Sequence, residues 1–159
     1  PKALARFGGE TLAERAHRLL SESFEEVLAV GKAVDGLPLP FPVLDDGSDL
    51  RAPIVGLAAG LRLATCELCV VVPTDMPWLT PAGLLELAAA ARGVDAAVPP
   101  TGPLPGAYRR SALPALLRRI EAGDLALWNA LAELRTTLVD LDPAELVNVN
   151  TPADLRRSP

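Results

Sequence analysis

Apolar and polar positions along the chain follow two rhythms, and the switches between them mark out helices and strands in alternation. Residues 11–21 carry Leu12, Ala16, Leu19 and Leu20 on one helical stripe, with Glu14 and Arg18 spaced to pair one turn apart. Residues 24–30 read as a strand that Gly31 ends, and residues 40–44 as a short strand running into Asp45-Asp46. Residues 53–63 predict an apolar helix with Gly56 and Gly60 four apart. Residues 69–73 form a continuous apolar run, as in a strand buried on both faces. A helix is expected over 80–92, with Thr80 as N-cap, Pro81 in the first position and Gly93 as its stop.

Beyond it, residues 95–99 predict a strand and 111–122 a helix, in which Pro114 is acceptable because it falls in the first turn. Residues 125–134 are expected to be helical and 136–141 to form a β-branched strand. Asp142-Pro143 and Thr151-Pro152 repeat the cap-then-proline device, while the Gly- and Pro-rich residues 102–106 read as a flexible loop. The alternation predicts an α/β fold: one domain over residues 1–159, three-layered and doubly wound, with a mainly parallel sheet and helices on both faces.

Composition narrows the function. The chain has 159 residues, enough for one well-buried core, and a formal net charge of −5 from 15 Lys and Arg against 20 Asp and Glu. That balance excludes the basic face of a nucleic-acid binder, and the pairs Arg109-Arg110, Arg118-Arg119 and Arg156-Arg157 are too small to reverse it. Hydrophobic residues make up 50%, yet no run is long enough to span a membrane: residues 57–64 are broken by Arg62, and 84–91 are short and Ala-rich. No signal-peptide pattern is visible, so a cytoplasmic protein without membrane or nucleic-acid partners is expected. The chain opens Pro1-Lys2-Ala3-Leu4 and its single methionine is Met76, so residues ahead of Pro1 are expected.

The chemistry concentrates at segment ends. Residues 70–79, V-V-V-P-T-D-M-P-W-L, place Asp75 where a buried strand exits, the edge at which open α/β sheets bind ligands. A carboxylate there suits Mg²⁺, which is held by one or two carboxylates together with substrate phosphates. Asp46 also follows a strand, and two acids on one edge can hold a metal, act as acid and base, or hydrogen-bond a ligand. Either acid taken singly reads equally well as a turn or cap residue. Asn148-Val149-Asn150 alternates polar and apolar, putting both amides on one side; a ligand role and a capping loop fit this equally.

Cys66-Glu67-Leu68-Cys69 has a C-x-x-C spacing, but zinc needs two further ligands and the only histidine, His17, is distant in sequence. A redox pair would open a helix after a strand, whereas this one precedes a strand, so two small apolar fillers are expected. His17 is expected to be solvated, and Trp78 and Trp128 to anchor the core or an interface. Tyr108 is read as a strand-end residue beside the solvated Arg109 and Arg110. Leu125, Leu127, Trp128 and Leu131 offer an apolar face for a subunit or partner protein.

In order along the chain, the motifs resemble those of the molybdenum cofactor guanylyltransferases, a branch of the nucleotidyltransferases. Pro1-Lys2-Ala3-Leu4 is similar to the tail of L-A-G-G-x-S-x-R-M-G-x-x-K-A, and Phe7-Gly8-Gly9 with Leu12 to F-x-G-x-x-L. Val43-Leu44-Asp45-Asp46 and Ala52-Pro53-Ile54-Val55-Gly56 resemble V-x-x-D followed by G-P-L-A-G. Asp75-Met76-Pro77 with Leu79 matches D-M-P-x-L. Residues 104–111, L-P-G-A-Y-R-R-S, are similar to P-L-x-A-L-Y-R-R-S, and residues 148–155, N-V-N-T-P-A-D-L, match N-x-N-T-P-E-D-L, the most specific of the set. Cytidylyltransferase relatives tend to carry D-Q-P and D-x-D-T-P instead, which favours the guanylyl branch.

The resemblance implies a nucleotide-diphospho-sugar transferase-like, Rossmann-like domain that transfers GMP from GTP to molybdopterin and releases pyrophosphate. It implies Lys2 and Asp75 as catalytic residues, with Asp75 holding Mg²⁺ and Lys2 placing a cation on the phosphates. Lys2, Asp46, Gly56 and Asp75 are expected to bind the nucleotide, and Asn148 and Asn150 the pterin-side substrate. Molybdopterin insertion proteins are the expected protein partners. Ahead of Pro1 the family has a strand and a Gly-rich loop, without which the sheet would expose two long edges. Ala52 and Val55 replace Gly and Ala of G-P-L-A-G, adding bulk at a backbone-approach position, and Thr74 stands where Cys often precedes the Asp. Three other readings stay open: a nucleotidyltransferase with another base or acceptor, such as molybdopterin cytidylyltransferase; a non-catalytic molybdopterin-binding relative; and a redox or zinc protein built on Cys66 and Cys69.

Overall fold

The structure is a computed structural model that describes residues 1–151 and 153–156. Two-residue strands β1 (Arg6–Phe7) and β2 (Glu10–Thr11) form a hairpin, and Thr11 then caps α1 (Leu12–Ser21). The cap is reciprocal: Thr11 Oγ1 accepts from the Glu14 amide, and the Glu14 carboxylate accepts from the Thr11 amide. Glu14 therefore does not pair with Arg18 as its spacing suggests. Arg18 binds Glu10 and Glu22 instead.

β3 (Ala29–Gly31) and β4 (Val43–Asp45) form a parallel pair, followed by α2 (Pro53–Leu63). β3 is much shorter than the strand expected over 24–30, and it includes Gly31. β4 offers only three partners, Val43 to Asp45, so ladder pairing stops where β4 does. β5 (Leu68–Val71), α3 (Pro81–Ala90) and β6 (Ala96–Val98) come next.

The largest departure from expectation is β7 (Gly106–Arg109). The expected flexible loop over 102–106 is instead a packed turn with Pro105 fully buried, and it feeds an antiparallel strand between β5 and β6. α4 (Leu113–Glu121), α5 (Leu127–Leu131) and β8 (Thr136–Leu138) complete the main elements, giving a sheet of order β5-β7-β6-β8 with β6 and β8 parallel. The sheets are thus mixed rather than mainly parallel, within the expected α/β class.

Strand alternation sorts the core into two faces. Ala96, Val98 and Tyr108 pack against α2, α4 and α5 through residues such as Leu57, Leu116 and Leu127. Ala97 and Ala107 face α1 and α3 through Leu19, Leu84 and Leu87. These are the three expected layers. Leu127 is buried in the first cluster with Leu125 and Leu131 packed on it, so these leucines serve the core and not a partner. Trp128 is exposed, whereas Trp78 packs edge-on against Phe7.

Among the described residues β5 is paired only on its β7 side, and β3 only on its β4 side. As expected for a strand covered on both faces, β5 packs one way through Cys69 and Val71 and the other through Leu68 and Val70, while its unpaired edge borders a cavity of about 790 Å³ that also touches β3. Leu28, Val30, Leu57, Val70 and Val72 give this cavity an apolar floor. At the start of β5, Thr65 donates its amide and hydroxyl to Glu26, tying the strand to the segment before β3.

β7 needs a glycine at its first position. A Cβ on residue 106 would lie 2.7 Å from Tyr108 Cε2 and 2.9 Å from the Pro103 carbonyl oxygen. Gly106→Ala is expected to destabilise the protein by about 2 kcal/mol through overpacking, measurable in urea unfolding. Asp95 ties the start of β6 to its neighbours, accepting from Ser111 Oγ (2.6 Å) and the Arg135 amide (3.0 Å), with the Arg135 guanidinium alongside. That guanidinium, with the Ser111 hydroxyl and Arg135 amide, lowers the Asp95 pKa to about 2. A carboxyl depressed in the folded state stabilises above its unfolded pKa of ~3.9 and loses that contribution as pH falls. Melting temperature should therefore drop between about pH 4 and pH 2, and Asp95→Asn should flatten that part of the profile.

Candidate functional site

Three of the expected residues meet, and two of them, Lys2 and Asp75, line the cavity. Lys2 sits in a 3₁₀ turn (Lys2–Leu4), Asp75 in the loop leaving β5, and Asn150 in an extended segment near the C-terminus. Lys2 Nζ donates to Asp75 Oδ2 at 2.8 Å and to Asn150 Oδ1 at 3.1 Å. The Lys2 and Asp75 side chains are 41% and 28% exposed, so the pair is open to solvent and to a ligand. Lys2, Asp75 and Gly56 all line the cavity. Gly56 and Gly60 leave a bare stretch of α2, since a Cβ at either would meet nothing within 4 Å.

The backbone holds this cluster from several directions. The Val149 amide donates to the Asp75 carbonyl at 2.8 Å, and Val149 is buried. On the far side of the loop, Arg15 of α1 donates to the Pro77 carbonyl and lies over the Phe7 ring, 5.1 Å from its centroid. Past the cluster, the Asp154 carboxylate accepts from the Asn150 and Thr151 amides. Asn148 is exposed, two residues before Asn150 in the same segment. The final helix expected from Thr151-Pro152 is a 3₁₀ turn, Asp154–Arg156; Pro152 itself and Arg157 lie outside the described residues.

Asp46 does not join the cluster. Its carboxylate accepts from Lys32 Nζ at 2.7 Å and from the Ser48 amide, and Lys32 also donates to the Ser48 and Leu50 carbonyls. The Asp46 and Lys32 side chains are 6% and 10% exposed, so this is a buried, fully partnered strut that shapes residues 46–50. Residue type alone could not separate the two aspartates. The signal that could have done so is Lys32 itself, an isolated cation beside the paired strand.

The remaining chemistry-bearing residues are occupied structurally. Arg109 donates to the Ala91 carbonyl, and Arg110 to the Ala64 and Cys66 carbonyls, so neither is the solvated residue expected. Tyr108 lies inside β7, with its hydroxyl on the Pro103 carbonyl and its pKa pushed above the usual phenol range by burial. His17 is half-buried and stacks on Phe41, with centroids 4.1 Å apart. Both cysteines are free: Cys66 is exposed, contrary to the buried filler expected, while burial raises the Cys69 thiol.

The cluster offers one carboxylate, one ammonium and one amide oxygen, and the carboxylate and the ammonium line the cavity. Among the described residues no group of three or more His, Cys, Asp or Glu could cage a metal. Such a donor set fits a hydrated Mg²⁺ shared with a substrate phosphate, since Mg²⁺ keeps several waters and takes one or two protein carboxylates. Among the described residues, no helix is long and apolar enough to cross a membrane.

Comparisons with known proteins bear on the chain's family and fold. A probable molybdenum cofactor guanylyltransferase of Chloroflexus aggregans is 32% identical over 93% of this chain and 79% of its own length. One from Pelotomaculum thermopropionicum is 30% identical over 97% of this chain and 82% of its own. The crystal structure of molybdopterin-guanine dinucleotide biosynthesis protein A from Archaeoglobus fulgidus superposes with a TM-score of 0.82 at 26% identity, covering 99% of this chain and 88% of that one. The model of the MobA-like NTP transferase domain matches residues 1–138, and the chain belongs to that nucleotidyltransferase family.

Proposed function

We propose that this chain transfers the guanylyl group of GTP to molybdopterin. A phosphate oxygen of molybdopterin forms a bond to the α-phosphorus of GTP; the bond from that phosphorus to the bridging oxygen breaks, and pyrophosphate leaves with the electron pair. The observation that supports this best is the meeting of Lys2, Asp75 and Asn150 at 2.8 and 3.1 Å from residues 73 and 148 positions apart in sequence. An ammonium there offsets charge growing on the leaving group, the contribution that dominates phosphoryl transfer.

Mg²⁺, if bound, would supply further positive charge against the phosphates. In this reading Asp75 holds the ion, and the arriving triphosphate takes Lys2 from Asp75. Asn150 and the exposed Asn148 hydrogen-bond the pterin-side substrate, and Gly56 lets the nucleotide approach the backbone of α2. No covalent nucleophile is required, because the acceptor phosphate is itself the nucleophile. Asp46 acts on this site only through the loop that Lys32 pins.

The test is nucleotide binding and product formation with the full-length natural chain. GTP with Mg²⁺ should raise the melting temperature more than CTP, ATP or UTP, and mass spectrometry should detect the guanine dinucleotide when molybdopterin is added. Asp75→Ala should lower turnover by about 10²–10³-fold. Equal stabilisation by CTP, or full turnover in Asp75→Ala, overturns the assignment. Asp46→Ala should instead cost about 3–5 kcal/mol of stability by leaving Lys32 buried without its partner, seen in denaturant unfolding.

A further inference from the structure

The segment carrying Asn148 and Asn150 runs antiparallel beside the loop that leaves β5, and two contacts fix it there. One is the Val149 amide on the Asp75 carbonyl. The other is Glu145, whose Oε2 accepts from both the amide and the hydroxyl of Thr80, each at 2.9 Å. From Val149 back to Glu145 on one side, and from Asp75 forward to Thr80 on the other, these contacts act as two rungs of one short ladder. Leu146 and Met76 pack on the same core cluster between them.

The Glu145 rung is built from both sides. Thr80 Oγ1 accepts from the Gly83 amide at 3.1 Å, capping α3, so Thr80 is held while it donates to Glu145. A Cβ at residue 83 would lie 2.6 Å from Glu145 Oε2 and 3.3 Å from its Cδ. Glycine at this position leaves the room that the carboxylate occupies, at a helix N-terminus where the dipole favours an anion. Arg15 meanwhile fixes the loop from the α1 side through Pro77.

We propose that Glu145 is a positioning residue for the transfer reaction: by gripping Thr80 it sets the register that brings Asn150 and Asp75 to the same lysine. Glu145 touches neither Lys2 nor Asp75, so it acts only through this ladder. The inference rests on the reading of function above for its catalytic consequence, and on geometry alone for its effect on register.

Full-length wild type is compared with Glu145→Ala, Gly83→Ala, Glu145→Gln and a distant control, Glu133→Ala, which removes ion pairs to Arg118 and Arg119. Gly83→Ala displaces only the far end of a flexible side chain, so it keeps the fold while evicting the carboxylate. Amide exchange at Val149 and Asn150 should speed up about tenfold or more in Glu145→Ala and Gly83→Ala. In those two variants kcat should fall by about ten- to a hundredfold with the KM for GTP little changed, as expected for misplaced groups. Glu145→Gln keeps an acceptor oxygen and should restore both. Glu133→Ala should lower the melting temperature and alter neither. Unchanged exchange at Val149 in both Glu145→Ala and Gly83→Ala overturns the proposal, as does an equal loss of kcat in Glu133→Ala. A wild-type chain that exchanges as expected but transfers nothing overturns the reading of function instead.

Discussion

The pairing of β7 between β5 and β6 is the constraint on which the rest of the molecule depends. Leu68 to Val71 pair with Arg109 to Gly106 on one edge, while Ala96 and Ala97 pair with Tyr108 and Ala107 on the other. Remove that strand and β5, which delivers Asp75, has no ladder to the rest of the sheet. The strand works because its residues suit a crowded place: Gly106 where no Cβ fits, Ala107 under α1 and α3, and Tyr108 filling the opposite face. The Tyr108 hydroxyl reaches the Pro103 carbonyl, so its one polar atom is satisfied despite burial.

Anchoring β5 on one side leaves its other side free, and that asymmetry shapes the site. The cavity along the free edge is lined by apolar residues such as Leu57 and Val70, with Lys2 and Asp75 where the chain leaves β5 and Glu26 and Thr65 where it enters. The two lysines near paired strands illustrate the contrast. The Lys32 side chain is largely buried, with its acceptors supplied by the loop after β4, whereas Lys2 is exposed and pairs with Asp75 and Asn150 in an open cluster. A buried, satisfied ion pair shapes backbone; an open one is available for chemistry.

The site also divides labour between side chains and backbone. Lys2, Asp75 and Asn150 supply the charges and the acceptor, but the Val149 amide, the Pro77 carbonyl and the turn closed by Asp154 decide where those groups stand. Transfer between two phosphates requires little covalent participation from the protein, so placement is most of what the protein can contribute. Short loops braced at several points suit that task better than long mobile ones.

Some of this was legible from the residues alone. Hydrophobic period and cap chemistry located α1, α2 and α3 to within a few residues, because those signals are local: Thr11, Thr80, Pro53 and Pro81 act on their own turns. The strand-exit position of Asp75 and the spacing of Asn148 and Asn150 pointed to a ligand edge, and motif order pointed to the family. Tertiary structure decided the rest, since it depends on partners far away in sequence. β7 is hidden behind glycine and proline that read as a loop; only the two neighbouring ladders make it a strand. The extent of β3 is set by β4, and the role of Asp46 by Lys32. That Lys2 meets Asp75 and Asn150, while Arg110 goes to backbone carbonyls, follows from chain paths that no local pattern encodes.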